Sequence, residues 1–345
     1  MPGTMAQVIE SAYLETVEGL FFAVKGMVHP PDRTIAILRY VPEAGGERHK
    51  DVRAYHRVYH FAEQEEILRM SYPQYLYYEP LYQVILQGVP HACIKRIYDP
   101  SQRLFEIAAQ DRRDDLEADA YAFAALLQEQ SGVPWTSLGV SGSLLIGLQV
   151  ASSDLDLTII GDQACRAVYH SLKRCLETGM SPELRRFDHQ ELEQLYQERV
   201  ADTWMSFEDF VLSEKNKVFQ GKFKERTYFI RFIKAPDEVG ERYGDYRYTP
   251  LGQAGLTARV TSAEEAIFTP CRYPLAEVKL FEGIQVETVE EIVSYRGRFC
   301  EQANAGDQIV AIGTVERVQA REGQTWQRLL LGNHRQDTML VRGGL

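Results

Sequence analysis

Two stretches of the sequence are the most informative about the fold: Leu138–Leu148, LGVSGSLLIGL, and Ser152–Gly161, SSDLDLTIIG. Their apolar runs and glycines predict a strand, a turn, a short helix and a second strand. In that second strand Asp154 and Asp156 are two residues apart. Because side chains alternate between the two faces of a strand, we expect both carboxylates on one face and Leu155 on the other.

Two carboxylates that leave a strand side by side repel each other. Burying them together is costly unless a cation lies between them. Mg²⁺ prefers oxygen ligands and keeps open positions for phosphate oxygens, so the pair Asp154 and Asp156 predicts a magnesium site. Two such ions about 4 Å apart can activate an attacking hydroxyl and stabilise a departing pyrophosphate. The pattern therefore indicates phosphate chemistry.

The pair Gly142 and Ser143 has the composition of an anion-binding turn. A glycine between a strand and a helix lets a phosphate approach the backbone, where the first free N–H groups of the helix and the Ser143 hydroxyl face it. Ten residues separate Ser143 from Asp154. That length allows about two helical turns and a return loop, so we expect the start of the helix beside the acidic strand.

A Gly-Ser turn followed by Asp-x-Asp on the next strand resembles the polymerase-beta-type nucleotidyltransferase superfamily. The resemblance implies an α+β fold with a palm-like, mixed-sheet domain that moves an NMP from an NTP to a hydroxyl acceptor, in RNA, a protein or a small molecule, and releases pyrophosphate. Positioning and charge neutralisation would supply most of the rate. The implied ligands of Mg²⁺ (or Mn²⁺) are Asp154 and Asp156. The candidate nucleotide-binding residues are Gly142, Ser143, Ser153 and Arg231.

One position departs from the pattern of that superfamily. Active members usually carry a third carboxylate on a neighbouring strand, and the strand expected here is Arg226–Lys234, whose middle holds Arg231. Acids lie only before and after it, at Glu225, Asp237 and Glu238. The Arg231 guanidinium can pair with the two aspartates or with a phosphate. The alternative to an enzyme is therefore a catalytically inactive module that keeps the fold and binds nucleotide or RNA.

Composition and turn signals divide the chain into three predicted domains, with boundaries near 110 and 250. Residues 1–110 are predicted to form an N-terminal α+β accessory domain and residues 111–250 the nucleotidyltransferase domain. Residues 251–345 are predicted to form a β-rich domain, because evenly spaced short strands suggest a small barrel or sandwich. The strands predicted there are Leu256–Thr261, Ile284–Thr288, Ile309–Val318 and Trp326–Gly332.

Other segments leave alternatives open. The basic residues between Lys215 and Lys234 fit either phosphate or RNA neutralisation or the protection of a strand edge. The arginines of Ser294–Cys300 fit either acceptor binding or a structural role. Together with Lys25–Pro31 and Phe268–Tyr273, that segment resembles a poorly characterised prokaryotic group of predicted nucleotidyltransferases. The spacing of His56 and His60 suits metal on a helix, but their segment is predicted as strand.

Charge and cysteine content narrow the classes of protein further. The chain has 38 Lys and Arg against 49 Asp and Glu, a net charge of −11, which argues against a non-specific nucleic-acid coat. No apolar run is long enough for a bilayer, and the N-terminus lacks the basic start of a signal peptide. The five cysteines show no CxxC spacing, so neither disulfides nor structural zinc are favoured. We predict a cytoplasmic protein without a membrane partner.

Overall fold

The computed structural model describes residues 8–200 and 204–342, which form two compact units. The first unit comprises the described residues up to 79 together with 84–184 and 222–243. The second comprises 80–83, the described part of 185–221, and the described residues from 244 onward. The division into three domains near 110 and 250 stays a prediction.

The first unit contains an antiparallel sheet of eight strands, in the order β4-β5-β3-β2-β1-β8, with β7 joining β3 to β6. Helix α1, Phe61–Ser71, follows β5 in the chain. The strands are β1 Tyr13–Thr16, β2 Phe21–Val24, β3 Arg33–Pro42, β4 Arg48–Lys50, β5 Arg53–Arg57, β6 Leu76–Glu79, β7 Val84–Pro90 and β8 Ile94–Tyr98.

A mixed sheet contains the two strands of the segment Leu138–Gly161. The helices around it are α2 Pro100–Ala108, α3 Asp115–Ser131, α4 Gly142–Ile146 and α5 Asp162–Thr178. Its strands are β9 Leu138–Val140, β10 Leu155–Ile160, β11 Leu184–Arg185, β12 Gln220–Phe223 and β13 Arg226–Ile233, in the order β11-β12-β13-β10-β9. Strand β10 runs parallel to β13 and antiparallel to β9. The predicted strand, turn, helix and strand between 135 and 160 are therefore present.

Local signals explain where these elements begin and end. Asp114 and Glu117 form a capping box at the start of α3, and Gly132 ends that helix in the left-handed conformation, as its sequence predicts. Lys224 and Glu225 both have positive φ between β12 and β13. That conformation is typical of a two-residue hairpin turn, and β13, which follows it, coincides with the strand expected at Arg226–Lys234.

Two apolar clusters join the first sheet to the elements of the mixed sheet. On one face, Phe21 and Tyr40 pack with Leu145 and Ile146 of α4. On the other face, a second cluster includes Ile233 of β13. These buried contacts bring side chains of the first sheet to the surface of β10.

The second unit contains a closed five-stranded barrel. The ring runs β14-β15-β16-β18-β17 and closes through the pairing of β14 with β17, while β19 pairs with β17 outside the ring. The elements of this unit are α6 His189–Arg199, α7 Phe207–Glu214, β14 Tyr246–Val260, β15 Cys271–Gly283, β16 Glu291–Ser294, β17 Gln308–Ala320, β18 Thr325–Leu331 and β19 Thr338–Val341. The predicted α+β class and the small C-terminal barrel are confirmed.

Three further observations bear on the sequence-based expectations. The strand predicted at Ile284–Thr288 is wrong, because that segment is irregular. All five cysteines are free, as expected. Among the described residues, no helix combines the length and the apolar composition that crossing a bilayer requires.

Candidate functional site

The two motif carboxylates lie at the start of β10. Asp154 immediately precedes the strand and is exposed, whereas Asp156 is half-buried within it. Leu155 is fully buried, so successive side chains alternate as the sequence predicts. Because residues two apart in a strand leave the same face, Asp154 and Asp156 lie on one side of the sheet, opposite the buried Leu155. Both carboxylates contribute to a raised pKa of Tyr59. This surface, with Asp154 and Asp156 at its centre, is called the carboxylate face below.

Asp156 also lies directly against the Gly142 turn. Gly142 has a φ of +61°, and a Cβ atom there would lie 2.0 Å from Asp156 Oδ2. The Ser141 backbone N–H donates to the Asp156 carbonyl over 2.7 Å, which fixes the turn to the strand. Glycine is therefore required at this position both by its backbone conformation and by the carboxylate that fills the space of a side chain.

The hydroxyls of Ser143 and Ser153 lie inside the return loop. Ser143 Oγ donates to Ser153 Oγ over 3.2 Å. Ser153 Oγ also accepts from Arg48 Nη1 and from the Val150 N–H, each over 3.0 Å. Both serines are buried, and these hydrogen bonds stabilise the loop that leads to Asp154. A direct contact between either hydroxyl and a nucleotide stays a prediction.

Cationic side chains surround Asp156. Burial raises the pKa of its carboxyl, and three guanidinium groups oppose that shift. They belong to Arg57, Arg231 and Arg39. The first sheet supplies two of them, because Arg39 lies on β3 and Arg57 ends β5, opposite Tyr40. The half-buried Asp156 thus has three guanidinium groups within electrostatic range, which suits a polyanion.

Arg231 lies on the same face as Asp156, because its register partner in β10 is Thr158, two residues further along. Arg231 Nη1 forms an ion pair with Glu10 Oε1 at 3.4 Å. Lys25 Nζ binds the same Glu10 oxygen at 3.0 Å, and the Gly26 N–H donates to the other oxygen. The alternatives expected for Arg231 were the two aspartates or a phosphate. Glu10 is an additional acid that the sequence pattern did not indicate.

Glu10 is fully buried, so its charge depends on these partners. Burial alone would raise the pKa of Glu10, but Lys25 and Arg231 bring it below its usual value. Burial lowers the pKa of Lys25 to about 8, although Glu10 opposes the shift. Glu10 is therefore an ion-paired anchor beneath the carboxylate face.

The acids that flank β13 do not supply a third carboxylate in the way the superfamily pattern requires. Glu225 lies in the turn before β13. The Glu238 carboxylate accepts from the backbone N–H groups of Asp162 and Ala235, each over 2.8 Å. Asp237 is exposed in the short helical turn that follows the strand. Among residues 8–200 and 204–342, no group of three or more His, Cys, Asp or Glu has the arrangement of a metal site.

The implied Mg²⁺ can be tested against this donor set. Mg²⁺ in nucleotide sites commonly takes one or two protein carboxylates and completes its shell with phosphate oxygens and water. Asp154 and Asp156 match that requirement for a single ion that a bound phosphate would share. A protein-held site with three carboxylates does not fit, because Arg231 lies at the expected position on β13.

Three basic residues of the run between Lys215 and Lys234 make structural contacts. Arg226 Nε pairs with Asp119 of α3 at 2.7 Å, and Arg226 Nη1 donates to the carbonyl of Ala151 over 2.6 Å. Lys224 lies 3.7 Å from the same Asp119. Lys217, in the second unit, is buried against Glu214 at 2.7 Å. These contacts give Lys217, Lys224 and Arg226 structural roles, and the two interpretations of the run as a whole stay predictions.

The segments that supported the weaker resemblance are also used internally. Arg296 Nη1 donates to the Gly332 carbonyl over 3.4 Å, and the Arg298 carbonyl accepts from Lys217 Nζ. His29 accepts from the Ile35 N–H through Nδ1, over 3.3 Å, which leaves Nε2 to donate to the Val8 carbonyl over 3.3 Å. Burial lowers the pKa of His29 to about 4, so it is neutral at pH 7.

Sequence reasoning missed Glu10, Arg39, Arg57 and Tyr59. Their chain positions are about 80 residues or more before the motif, so spacing gave no indication of them. One signal was available for Arg39, since it interrupts the apolar run of β3. A cation within such a strand is costly unless it has a partner or a function.

The chain has a relative among curated proteins, the uncharacterized protein MJ1086 of Methanocaldococcus jannaschii. The two chains are 31% identical over 332 residues, and the aligned region covers 94% of this chain and 95% of the archaeal one. No protein-family model matches the chain. No solved structure matches it either. Because the likeness extends over nearly the full length of both proteins, the chain belongs to the same family as this archaeal protein.

Proposed function

We propose that the carboxylate face binds a nucleoside triphosphate with one Mg²⁺ and that the protein is a nucleotidyltransferase of the polymerase-beta type. The observation that carries the proposal is the contact of the Asp156 carboxylate with the Gly142 turn, with Asp154 on the same side of the sheet. The superfamily pattern has a Gly-Ser turn beside the acidic strand, and this juxtaposition supports the proposal.

Each group of the face has a role in this proposal. Asp154 and Asp156 hold the cation through their carboxylate oxygens. Mg²⁺, when bound, neutralises phosphate charge and stabilises the departing pyrophosphate. The guanidiniums of Arg39, Arg57 and Arg231 orient the triphosphate and offset its negative charge. A hydroxyl of the acceptor, which is RNA, a protein or a small molecule, would then attack the α-phosphate of the NTP, and the bond from the α-phosphate to the departing pyrophosphate would break.

A second candidate function is favoured by one observation. Arg231 lies where a third carboxylate is expected, and it forms an ion pair with Glu10. A site that lacks this acid has lost a group that helps to deprotonate the acceptor. The second candidate is therefore a nucleotide- or RNA-binding module that retains the fold without turnover.

Pyrophosphate release by the full-length protein tests the proposal. The protein is incubated with each of the four NTPs, Mg²⁺ or Mn²⁺, and total RNA or cell extract as the source of acceptors. We expect release that disappears in Asp154→Asn and Asp156→Asn. Asp115→Asn, an exposed aspartate in the first turn of α3, is the matched control and retains activity.

The remaining outcomes separate the two candidates. If the unmutated protein binds nucleotide but releases no pyrophosphate, and both aspartate variants lose that binding, the binding module is supported. Release that survives both substitutions contradicts the proposed active site. If the unmutated protein binds none of the four NTPs with Mg²⁺ or Mn²⁺, neither candidate stands.

A further inference from the structure

Tyr59 is an exposed aromatic residue at the edge of the carboxylate face. It follows β5, two residues after Arg57, and is 54% exposed. Strand β5 pairs with β4, whose Arg48 donates to Ser153 Oγ, so this hairpin lies against the loop that carries Asp154. Burial raises the pKa of Tyr59, Arg57 opposes that shift, and Asp154 and Asp156 add to it. Tyr59 is therefore near the charged groups while about half of its surface remains accessible.

Arg57 covers one side of this ring. The guanidinium carbon of Arg57 lies 4.1 Å from the centroid of the Tyr59 ring, which is the geometry of a cation–π contact. The same guanidinium acts on Asp156, so it links the ring to the carboxylate face. A planar group that stacks on the remaining side would form a three-layer arrangement with the ring and the guanidinium.

The environment of Tyr59 differs from that of another tyrosine near the same charged groups. Tyr40 shows the contrast, because it is also near Arg57 and Asp156 but is 2% exposed within an apolar cluster. In the described part of the first unit, the Tyr59 ring belongs to neither apolar cluster. Its position next to a polyphosphate site suits the base of a nucleotide, whose flat face stacks on tyrosine regardless of sequence.

We propose that Tyr59 is the stacking platform for the base of the nucleoside triphosphate bound at the carboxylate face, with Arg57 supporting the ring from behind. This inference rests on the proposed function and adds to it a residue that recognises the nucleoside rather than the phosphates. It assigns nucleotide recognition to the first sheet, which the sequence indicated only as an accessory element.

Comparing two ligands isolates the base from the phosphates. Binding of ATP and of inorganic tripolyphosphate, each with Mg²⁺, is measured by calorimetry on the unmutated protein and on Tyr59→Ala. Stacking on an aromatic ring contributes about 1–3 kcal/mol per base, so we expect ATP affinity to fall about 5- to 150-fold. The affinity for tripolyphosphate should be unchanged, and Tyr59→Phe should bind ATP as the unmutated protein does.

Two controls address folding and general surface effects. Tyr78→Ala removes another exposed tyrosine, 61% exposed on β6, and should leave both affinities unchanged. Tyr59→Trp should keep ATP binding, and ATP should quench the added tryptophan fluorescence whereas tripolyphosphate should not. That signature would not arise from a residue that only maintains the fold.

The contradicting results are distinct from a failure of the proposed function. Unchanged ATP affinity in Tyr59→Ala, or an equal loss for ATP and tripolyphosphate, overturns the stacking role while the nucleotide site stands. Failure of the unmutated protein to bind either ligand removes the proposed function, and the role of Tyr59 falls with it.

Discussion

Gly142 and Asp156 depend on each other at the scale of single residues. The carboxylate occupies the space that a side chain at position 142 would need, and the glycine has a backbone conformation that other residues adopt only at a cost. The motif therefore has a structural reason for its glycine that is independent of any bound phosphate. This reason links the stability of the turn to the position of the acid.

Gly142→Ala should be more destabilising than left-handed strain alone explains. Gly179 has a similar φ of +67°, and a Cβ atom there would have nothing within 4 Å, so Gly179→Ala should cost about 1–2 kcal/mol in the free energy of unfolding. Gly142→Ala adds a clash with Asp156 and should cost more. Denaturant unfolding of both variants measures the difference, and equal costs would show that Asp156 does not fill this space in solution.

The candidate site could be predicted from sequence only in part, for a reason visible in particular residues. Asp154 and Asp156 belong to one short segment, so strand alternation alone places them on one face. Arg39 and Arg57 reach that face through the packing of Phe21 and Tyr40 against α4, and no local pattern reports such packing.

At the scale of secondary-structure elements, His56 of β5 connects the segments around the site. Its Nε2 lies 3.1 Å from Glu63 of α1, and its Nδ1 lies 3.4 Å from Glu47, which precedes β4. Burial alone would lower the pKa of His56, but Glu63 and Glu47 raise it above its usual 6.5. The imidazole thus ties β5, which carries Arg57, to the start of α1.

The sign of the pH dependence follows from this shift. A histidine whose pKa is higher in the folded state stabilises the protein fully below its unfolded pKa, about 6.5, and loses that contribution as the pH rises through the folded value. The difference in unfolding midpoint between the unmutated protein and His56→Gln should therefore be largest in mild acid and shrink as the pH rises. A difference that does not change between mild acid and mild alkali would contradict the ion pairs.

The elements themselves were predictable where local signals are strong. The helix stop at Gly132 and the helix start at Asp188 follow from capping residues. The strand predicted at Ile284–Thr288 has apolar alternation but no strand partner in the described barrel. The long pairing of β14 with β15 contains register shifts, which single-sequence periodicity does not reveal.

At the scale of the whole molecule, two neighbouring strands of the barrel, β17 and β18, carry a buried ion pair. Arg328 is 1% exposed, and its Nε donates to Glu316 over 2.9 Å. The guanidinium also lies 4.1 Å from the centroid of the Tyr248 ring. Breaking such a pair leaves a buried charge without compensation, which is usually far more costly than replacing both partners.

Arg328→Met should destabilise the full-length protein by about 3–5 kcal/mol, because it leaves Glu316 buried without its partner. The double variant Arg328→Met with Glu316→Leu should recover much of that loss. Arg259→Ala, which breaks the exposed barrel pair with Glu277, should have little effect. Denaturant unfolding measures all three, and a double variant as unstable as Arg328→Met would contradict this account of the pair.

Mn²⁺ binding in the presence of ATP shows most directly whether Asp154 and Asp156 form the site. The binding is monitored through the decrease in the electron paramagnetic resonance signal of free Mn²⁺. We expect the unmutated protein to take up Mn²⁺ together with ATP, because Asp154 and Asp156 can share the ion with the phosphates. With the double variant Asp154→Asn and Asp156→Asn, the amounts of bound Mn²⁺ and bound ATP should not exceed the background of a protein-free mixture. Equal uptake by both proteins would show that the two carboxylates do not form the site.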